Sequence, residues 1–153
     1  MYTAVVLDQS AVVALTQKMR ETVNLEPKFS LDGPEGYPLP HHMTINLGKL
    51  DEKLNDEWIL RADAVELTVD AFLWCEKIGA CAARVTEAFA FDGAGNPYRI
   101  TSFNDGKSHK HITTCLMPGV KPFKSNALWD DPSKVNIFTF EPVTLEGSVK
   151  ECA

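Results

Sequence analysis

The amino-acid sequence predicts an α+β fold in a single domain, residues 1–153, built from two small lobes of antiparallel strands. Short β-branched and apolar segments alternate with turn residues, one segment has helical periodicity, and similar short segments recur in the two halves of the chain. With 153 residues, 44% of them apolar, the chain can fill one compact core.

The first quarter of the chain predicts a strand, a helix and an irregular connection. Residues 2–7 are β-branched and apolar, which favours a strand. Asp8 or Ser10 can cap a helix that ends near Val23, because apolar residues recur after them with helical spacing. Four prolines and two glycines between residues 24 and 40 predict an irregular connection into the next strand.

The middle of the chain predicts a strand, a short helix and a hairpin. Gly48 ends a strand that starts near His42, and residues 51–60 fit a short helix. Residues 64–74 and 80–85 are expected to form the two strands of a hairpin.

The last third predicts four further strands, with a proline-containing loop after the second. They fall near residues 98–103, 109–116, 135–140 and 143–149. Residues 64–68 and 142–146 resemble each other, and each segment lies downstream of a histidine-containing strand. This repetition is the sequence signal for two lobes.

All four histidines lie in two short stretches that share the pattern His-x-Thr-x-x-Leu. His42 is followed two places later by Thr44, and His111 by Thr113. Because side chains on a strand alternate between faces, each His shares a face with its Thr, and the intervening apolar residues fill the other face. Two imidazoles and two hydroxyls are therefore expected to converge on one ligand.

This combination suits cleavage of a ribose phosphodiester. The reaction needs a base for the nucleophile, an acid for the leaving oxygen, and donors for the charge that grows on the phosphoryl oxygens. Imidazole has a pKa near 6.5, about one unit from neutrality, so one His can act as base while the other acts as acid. Thr44 and Thr113 would then bond the non-bridging oxygens. This scheme requires no metal and no cofactor.

The charge distribution favours a small anionic ligand over a long nucleic acid. The net charge is −6 at pH 7, which argues against broad nucleic-acid binding. Residues 106–129 nevertheless hold four lysines and no Asp or Glu; these are Lys107, Lys110, Lys121 and Lys124. Such a short cationic stretch offers few phosphate contacts, whereas affinity for a long polymer needs many.

The sequence gives no sign of export or of membrane insertion. Its beginning lacks the basic and apolar regions of a signal peptide, and no apolar run is long enough to span a bilayer. Close C-x-x-C spacing is absent, so the cysteines are expected to be reduced thiols; they are Cys75, Cys81, Cys115 and Cys152. We therefore expect a cytoplasmic protein.

The two motifs, 69 residues apart, resemble the paired H-x-T/S-x motifs of the 2H phosphoesterase superfamily, which includes RNA 2′,3′-cyclic phosphodiesterases. The doubled His41-His42, the chain length and the opening residues 2–8 are most similar to the phage anti-CBASS phosphodiesterases, which degrade cyclic di- and trinucleotide immune signals. The resemblance implies a bilobal fold of two pseudo-symmetric sheets with helices outside, a central cleft and metal-independent catalysis. By motif match, it implies the catalytic residues His42, Thr44, His111 and Thr113.

Beyond these four residues the resemblance fixes no position. Aromatic side chains at the cleft would stack a base, for about 1–3 kcal/mol each, and polar ones would contact phosphate or base edges. The candidate substrate contacts are Tyr2, Trp74, His109, Lys110, Lys121, Trp129 and Glu141.

Other interpretations of the histidines remain open at this point. His42, His109 and His111 would also make a three-histidine zinc site with an open position for water, although that site leaves the two threonines without a role. The same cleft would serve a protein that only sequesters a nucleotide, or an RNA 2′,3′-cyclic phosphodiesterase. A structural protein with chance histidines is the plainest alternative.

Strand parity predicts the side-chain orientations of the two remaining histidines. His41 has the opposite parity to His42, so its side chain is expected to point away from the ligand. His109 shares the parity of His111 and is expected at the rim of the cleft. A bulge in either strand would reverse these predictions.

Overall fold

A computed structural model of the chain describes residues 1–33, 38–101 and 109–153. Within them, seven strands form one antiparallel sheet, and an α-helix and three 3₁₀ helices pack on it. This confirms the predicted α+β class.

The strands and helices follow the predicted order closely. The strands are β1 (Tyr2–Leu7), β2 (His42–Leu47), β3 (Val65–Cys75), β4 (Ala80–Phe91), β5 (Pro97–Arg99), β6 (His111–Leu116) and β7 (Asn136–Cys152). The helices are α1 (Gln9–Thr22) and the 3₁₀ helices η1 (Glu57–Arg61), η2 (Pro122–Trp129) and η3 (Pro132–Lys134).

The sheet closes on itself. Hydrogen-bonded neighbours follow the order β3-β7-β1-β2-β6-β4-β5, and β3 also pairs with β4. Strands β1 and β2 from the N-terminal half thus lie between β7 and β6 from the C-terminal half. The arrangement is compatible with two lobes, and their pseudo-symmetry stays a prediction.

The main core lies on one face of the strands and is covered by α1. Met43 of β2 and Ile112 of β6 are fully buried and pair directly across the two strands. Leu15 and Met19 of α1 are buried in the same cluster. Burying each such side chain stabilises the fold by about 1.5–3 kcal/mol, so these residues fix which face of β2 and β6 points inward.

A second, smaller cluster lies on the opposite face of β3 and β4. There Leu73 and Ala82 pack against Leu128 of η2. Alternation along β3 separates the two clusters, since Phe72 belongs to the main core. The result is that η2 is anchored on the outer face of the sheet, beside β6.

Three regions differ from the sequence prediction. The helix predicted over 51–60 is a turn followed by η1, and the loop predicted after β6 contains η2 and η3. The two predicted C-terminal strands are one strand, β7, with a register irregularity opposite Val69 and Ala71 of β3. Pro142 lies within that irregular part, as expected for a residue that cannot donate to a strand ladder.

The structure also bears on the strand predicted near 98–103, on the cysteines and on membrane spans. Of the strand predicted near 98–103, β5 covers Pro97–Arg99, whereas 102–108, including Lys107, fall outside the described residues. All four cysteines are free thiols, as predicted. Across 1–33, 38–101 and 109–153, no helix is long and apolar enough to cross a membrane.

Candidate active site

The two His-x-Thr motifs lie side by side on adjacent strands. Strands β2 and β6 are antiparallel and pair at Met43 and Ile112. This register places His42 across from Thr113 and Thr44 across from His111, at the roughly 4.5–5.5 Å Cβ spacing of cross-strand neighbours. All four side chains line one cleft with a volume of about 280 Å³ on the outer face of the sheet. The motifs therefore converge as the strand alternation predicts.

The walls of the cleft come from β1, from the end of β2 and from η2. Tyr2 and Leu47 form one side, and Phe123, Ser125 and Asn126 of η2 contribute the other. Leu47 and Phe123 are among the most exposed large apolar side chains of the described residues, at 73% and 62%. The cleft thus has a polar floor of histidines and threonines and an apolar rim.

His42 is held by two rings and is kept neutral. The ring of Tyr2 lies 4.8 Å from it between centroids, and the Nδ1 atoms of His41 and His42 are 3.0 Å apart. Burial, together with the charges of His41 and His111, lowers the pKa of His42 to about 4. At neutral pH this imidazole is uncharged and able to accept a proton.

His111 has a partner on each ring nitrogen. Its Nδ1 lies 2.6 Å from the backbone oxygen of His109, so Nδ1–H donates to that carbonyl. Its Nε2 lies 3.0 Å from the Oγ of Ser125. The pKa of His111 lies below its usual value: burial is the largest cause, the charge of His109 adds to the lowering, and the hydrogen bond to the His109 carbonyl opposes it.

Ser125 joins His111 to the second threonine. Its Oγ lies 2.8 Å from the Oγ1 of Thr113 and donates to the backbone oxygen of Pro122 at 2.8 Å. The side chain is only 1% exposed although it lines the cleft. Thr44, by contrast, has no hydrogen-bond partner for its hydroxyl in the part of the chain that the structure describes, so that hydroxyl is available to a ligand.

Of the predicted substrate contacts, the structure brings three to the site. Tyr2 and His109 line the cleft. Trp129 of η2 stacks on His109 at 5.4 Å, with an interplanar angle of 13°, and its ring lies 5.1 Å from that of His111. Trp129 therefore supports the floor of the cleft from outside.

The other four predicted contacts lie elsewhere, which corrects their predicted placement at the cleft. Trp74 packs against the main core, because alternation along β3 turns it to the same face as Phe72. Lys110 is half-buried beside β4, where its carbonyl accepts a hydrogen bond from Val85 N at 3.0 Å. Lys121 is exposed just before η2, and Glu141 is exposed on β7.

His41 does not line the cleft, in agreement with the parity argument. It precedes β2, which begins at His42, and its ring contacts His42 directly. Burial lowers the pKa of His41, and the charge of Lys150 contributes. His41 therefore acts on the site through His42.

The three-histidine zinc arrangement does not form. Among residues 1–33, 38–101 and 109–153, no group of three or more His, Cys, Asp or Glu side chains is placed to hold a metal ion. His109 turns its ring to Trp129, and both nitrogens of His111 face oxygen atoms.

The residues that the sequence prediction missed belong mostly to η2. Ser125, Phe123 and Asn126 lie in a segment predicted as a loop, where nothing connected them to the motifs. The one residue that could have indicated a helix here is Pro122, because proline is favoured at the first position of a helix.

Comparison with known proteins shows a similar fold among solved structures. No protein-family model and no curated protein matches the chain. Among solved structures, its fold is similar to that of a fungal RNA kinase, with a TM-score of 0.60 and 11% sequence identity. The match covers 97% of this chain and 44% of that chain, so the protein spans less than half of the kinase chain.

Proposed function

We propose that the chain is a phosphodiesterase that hydrolyses small cyclic oligonucleotides by metal-independent two-histidine catalysis. The observation that carries this proposal is the four-residue floor of the cleft, in which His42, Thr44, His111 and Thr113 occupy neighbouring positions of β2 and β6. Both proton transfers of a phosphodiester cleavage can be supplied by the two imidazoles, so the scheme needs no Lewis acid.

In the reaction, one histidine removes the proton of a ribose 2′-hydroxyl. The 2′-oxygen forms a bond to the adjacent phosphorus, the bond from phosphorus to the 5′-oxygen breaks, and the second histidine protonates that departing oxygen. The threonine hydroxyls donate to the non-bridging oxygens, where negative charge grows. Water then opens the resulting 2′,3′-cyclic phosphate with the two histidines in exchanged roles.

The size and lining of the cleft support a small substrate. Its volume is about 280 Å³, and the apolar rim of Leu47 and Phe123 suits the faces of nucleobases. With the motif resemblance, this favours 3′,3′-linked cyclic dinucleotides, such as cyclic GMP-AMP, and cyclic trinucleotides. The protein would then act in the host cytoplasm as a phage enzyme against CBASS immunity.

A second candidate is hydrolysis of 2′,3′-cyclic phosphates at RNA ends. The same four residues would perform the second half of the reaction above. The observation that favours it is the similarity of the fold to that of a fungal RNA kinase.

The deciding experiment presents the protein with three substrates: 3′,3′-cyclic GMP-AMP, a cyclic trinucleotide and a short RNA with a 2′,3′-cyclic end. We expect cleavage of the cyclic oligonucleotides in the presence of EDTA. His42→Ala and His111→Ala should each lose at least about a hundredfold in kcat, since general acid–base catalysis contributes about 10²–10⁴. Thermal melting of both variants serves as the folding control.

The possible outcomes separate the alternatives. Loss of activity in EDTA that zinc restores would replace the mechanism with a metal-dependent one. A cyclic dinucleotide that binds and is recovered intact would indicate sequestration, and cleavage of the RNA end alone would select the second candidate. A protein that neither binds nor cleaves any of the three is not a phosphodiesterase of this type.

A further inference from the structure

Ser125 lies at the centre of a hydrogen-bond network that includes two of the four motif residues. Its Oγ is within 3.0 Å of His111 Nε2 and 2.8 Å of Thr113 Oγ1, and it donates to the Pro122 carbonyl at 2.8 Å. The side chain is 1% exposed, and η2 is held in place by Leu128, which is fully buried. Its position is therefore set by the fold.

Counting protons in this network favours a protonated His111. A serine hydroxyl has one proton, and the Pro122 carbonyl can only accept it, whereas Thr113 Oγ1 and His111 Nε2 can each donate to Ser125. The two lone pairs of Oγ then accept from Thr113 and from His111 Nε2–H. Since Nδ1–H donates to the His109 carbonyl, both ring nitrogens carry a proton. The four contacts are satisfied together when His111 is an imidazolium.

His42 has the opposite surroundings. Its Nδ1 faces the Nδ1 of His41, so one of these two nitrogens is unprotonated. In the described residues, the His42 ring has no hydrogen bond to a backbone carbonyl or a hydroxyl, whereas the His111 ring faces two oxygen atoms. His42 is thus placed to be neutral, with Nε2 left for the cleft.

From this asymmetry we infer that Ser125 is a positioning residue that holds His111 in its protonated form, which makes His111 the general acid and His42 the general base. The inference rests on the proposed function. His42 Nε2 takes the 2′-hydroxyl proton. His111 Nε2–H exchanges its hydrogen bond to Ser125 for one to the 5′-oxygen, and gives that oxygen its proton as the bond from phosphorus to it breaks. Thr113 can turn its hydroxyl from Ser125 to a phosphoryl oxygen, because Ser125 keeps its bond to Pro122.

The charged groups around His111 do not supply an alternative means of holding its proton. His42 faces it from β2, and His109 and Lys110 precede it in the chain, before β6 begins. Arg84 of β4 lies opposite His111 in the strand register, but it is paired with Asp70 through two contacts of 2.8 and 3.0 Å. The neighbours from η2 are Ser125 and Trp129, which are uncharged. In this part of the chain, the oxygens of Ser125 and His109 are what favour the proton.

The test is Ser125→Ala, read by the pH dependence of kcat and by the ¹⁵N NMR titration of the His111 ring. Because a protonated acid is required, activity falls as pH rises through the pKa of His111. Losing one charge-assisted hydrogen bond should move this alkaline limb, and the titration of His111, to lower pH by about one unit. Ser125→Thr keeps the hydroxyl and should restore the limb.

Thr114→Val is the matched control. Thr114 is a fully buried hydroxyl on β6 that donates to the Cys81 carbonyl at 3.1 Å on the other face of the strand. Its loss should lower stability without moving either pH limb. A Ser125→Ala variant that loses the same factor at every pH, with His111 titrating as in the wild type, would reduce Ser125 to a packing role. The NMR titration needs no turnover, so it decides on Ser125 even if no substrate is cleaved.

Discussion

At the scale of single residues, Thr113 and Thr114 show how strand alternation divides two identical side chains between two roles. Thr113 faces the cleft, and Thr114 faces inward and bonds Cys81. Thr113→Val should lower kcat by roughly a hundredfold, as expected when a donor to a developing oxyanion is removed. Thr114→Val should leave kcat near wild type and lower the free energy of unfolding by about 1 kcal/mol. Steady-state kinetics and urea unfolding of the two variants check this, and equal kcat losses would contradict the assigned faces.

Phe123 at the rim provides a second comparison. It is 62% exposed and lines the cleft, whereas Phe138 of β7 is 39% exposed and lies outside it. If Phe123 stacks on a nucleobase, Phe123→Ala should raise KM for a cyclic dinucleotide about tenfold or more, since stacking contributes about 1–3 kcal/mol per base. Phe138→Ala should not change KM. Equal KM values for the two variants would remove the base contact from the proposal.

The same scale shows what sequence alone can and cannot determine. His42, Thr44, His111 and Thr113 were predictable because spacing by two on a strand fixes a shared face. Trp74 was misplaced because an aromatic residue in a strand fits either face, and its parity with the core could be set only once β3 was paired with β4 and β7. Ser125 was not predictable, since no local pattern connects it to residues 12 and 14 positions earlier.

At the scale of elements, η2 is the part of the structure on which the site most depends. Leu128 is fully buried against Ala71, Leu73 and Ala82, and the same helix carries Ser125. Leu128→Ala should cost about 2–5 kcal/mol of stability through the cavity it leaves. When activity is assayed at a temperature well below the melting temperature, kcat should also be lower than in the wild type, because Ser125 and Trp129 are no longer held against His111.

Leu145→Ala is the control for this effect. Leu145 is 3% exposed in the main core on β7, away from η2. It should lower the melting temperature comparably and leave kcat unchanged at 20 °C or so. If both variants lose stability and neither loses activity, η2 is a passive cover over the outer face of β3 and β4.

The strands were predictable at this scale and the 3₁₀ helices were not. Strand β2 is defined by alternation and ended by Gly48, whose φ of +90° favours glycine. Helix η2 lacks the 3.6-residue periodicity of an amphipathic α-helix, since its two buried residues, Ser125 and Leu128, are three positions apart, as a 3₁₀ helix requires. It is stabilised here by one anchored leucine. Its existence depends on the apolar outer face of β3 and β4, which is a tertiary feature.

At the scale of the whole molecule, the closed sheet determines that both motifs face one cleft. Strands β2 and β6 are distant in sequence and adjacent in the order β1-β2-β6-β4. Strand alternation and the repeated motif predict two polar faces that converge on one ligand, and the family resemblance implies the same arrangement. Their adjacency follows from the pairing of Met43 with Ile112, which required the fold.

The overall charge gives a prediction about substrate length. The protein has a net charge of −6, and two exposed lysines, Lys121 and Lys124, flank the η2 side of the cleft without lining it; the Nζ of Lys124 lies 5.5 Å from the Phe123 ring. If these two side chains reach the phosphates of a bound substrate, about two counterions are released, so log kcat/KM should fall with log salt with a slope of about −1 to −2. A protein that contacts six or more phosphates of a long RNA would give a slope of about −4 or steeper.

The measurement is kcat/KM for 3′,3′-cyclic GMP-AMP and for a 20-nucleotide RNA with a 2′,3′-cyclic end, across about 50 to 200 mM KCl. Lys121→Gln combined with Lys124→Gln should flatten the slope for the cyclic dinucleotide, and Lys18→Gln, on α1 and outside the cleft, should not. Because the remainder of the surface is acidic, lengthening the RNA should add repulsion rather than contacts, and the dinucleotide should be preferred at every salt concentration. A steep slope together with a preference for the RNA would make a polymer the substrate and would require a basic path beyond the cleft.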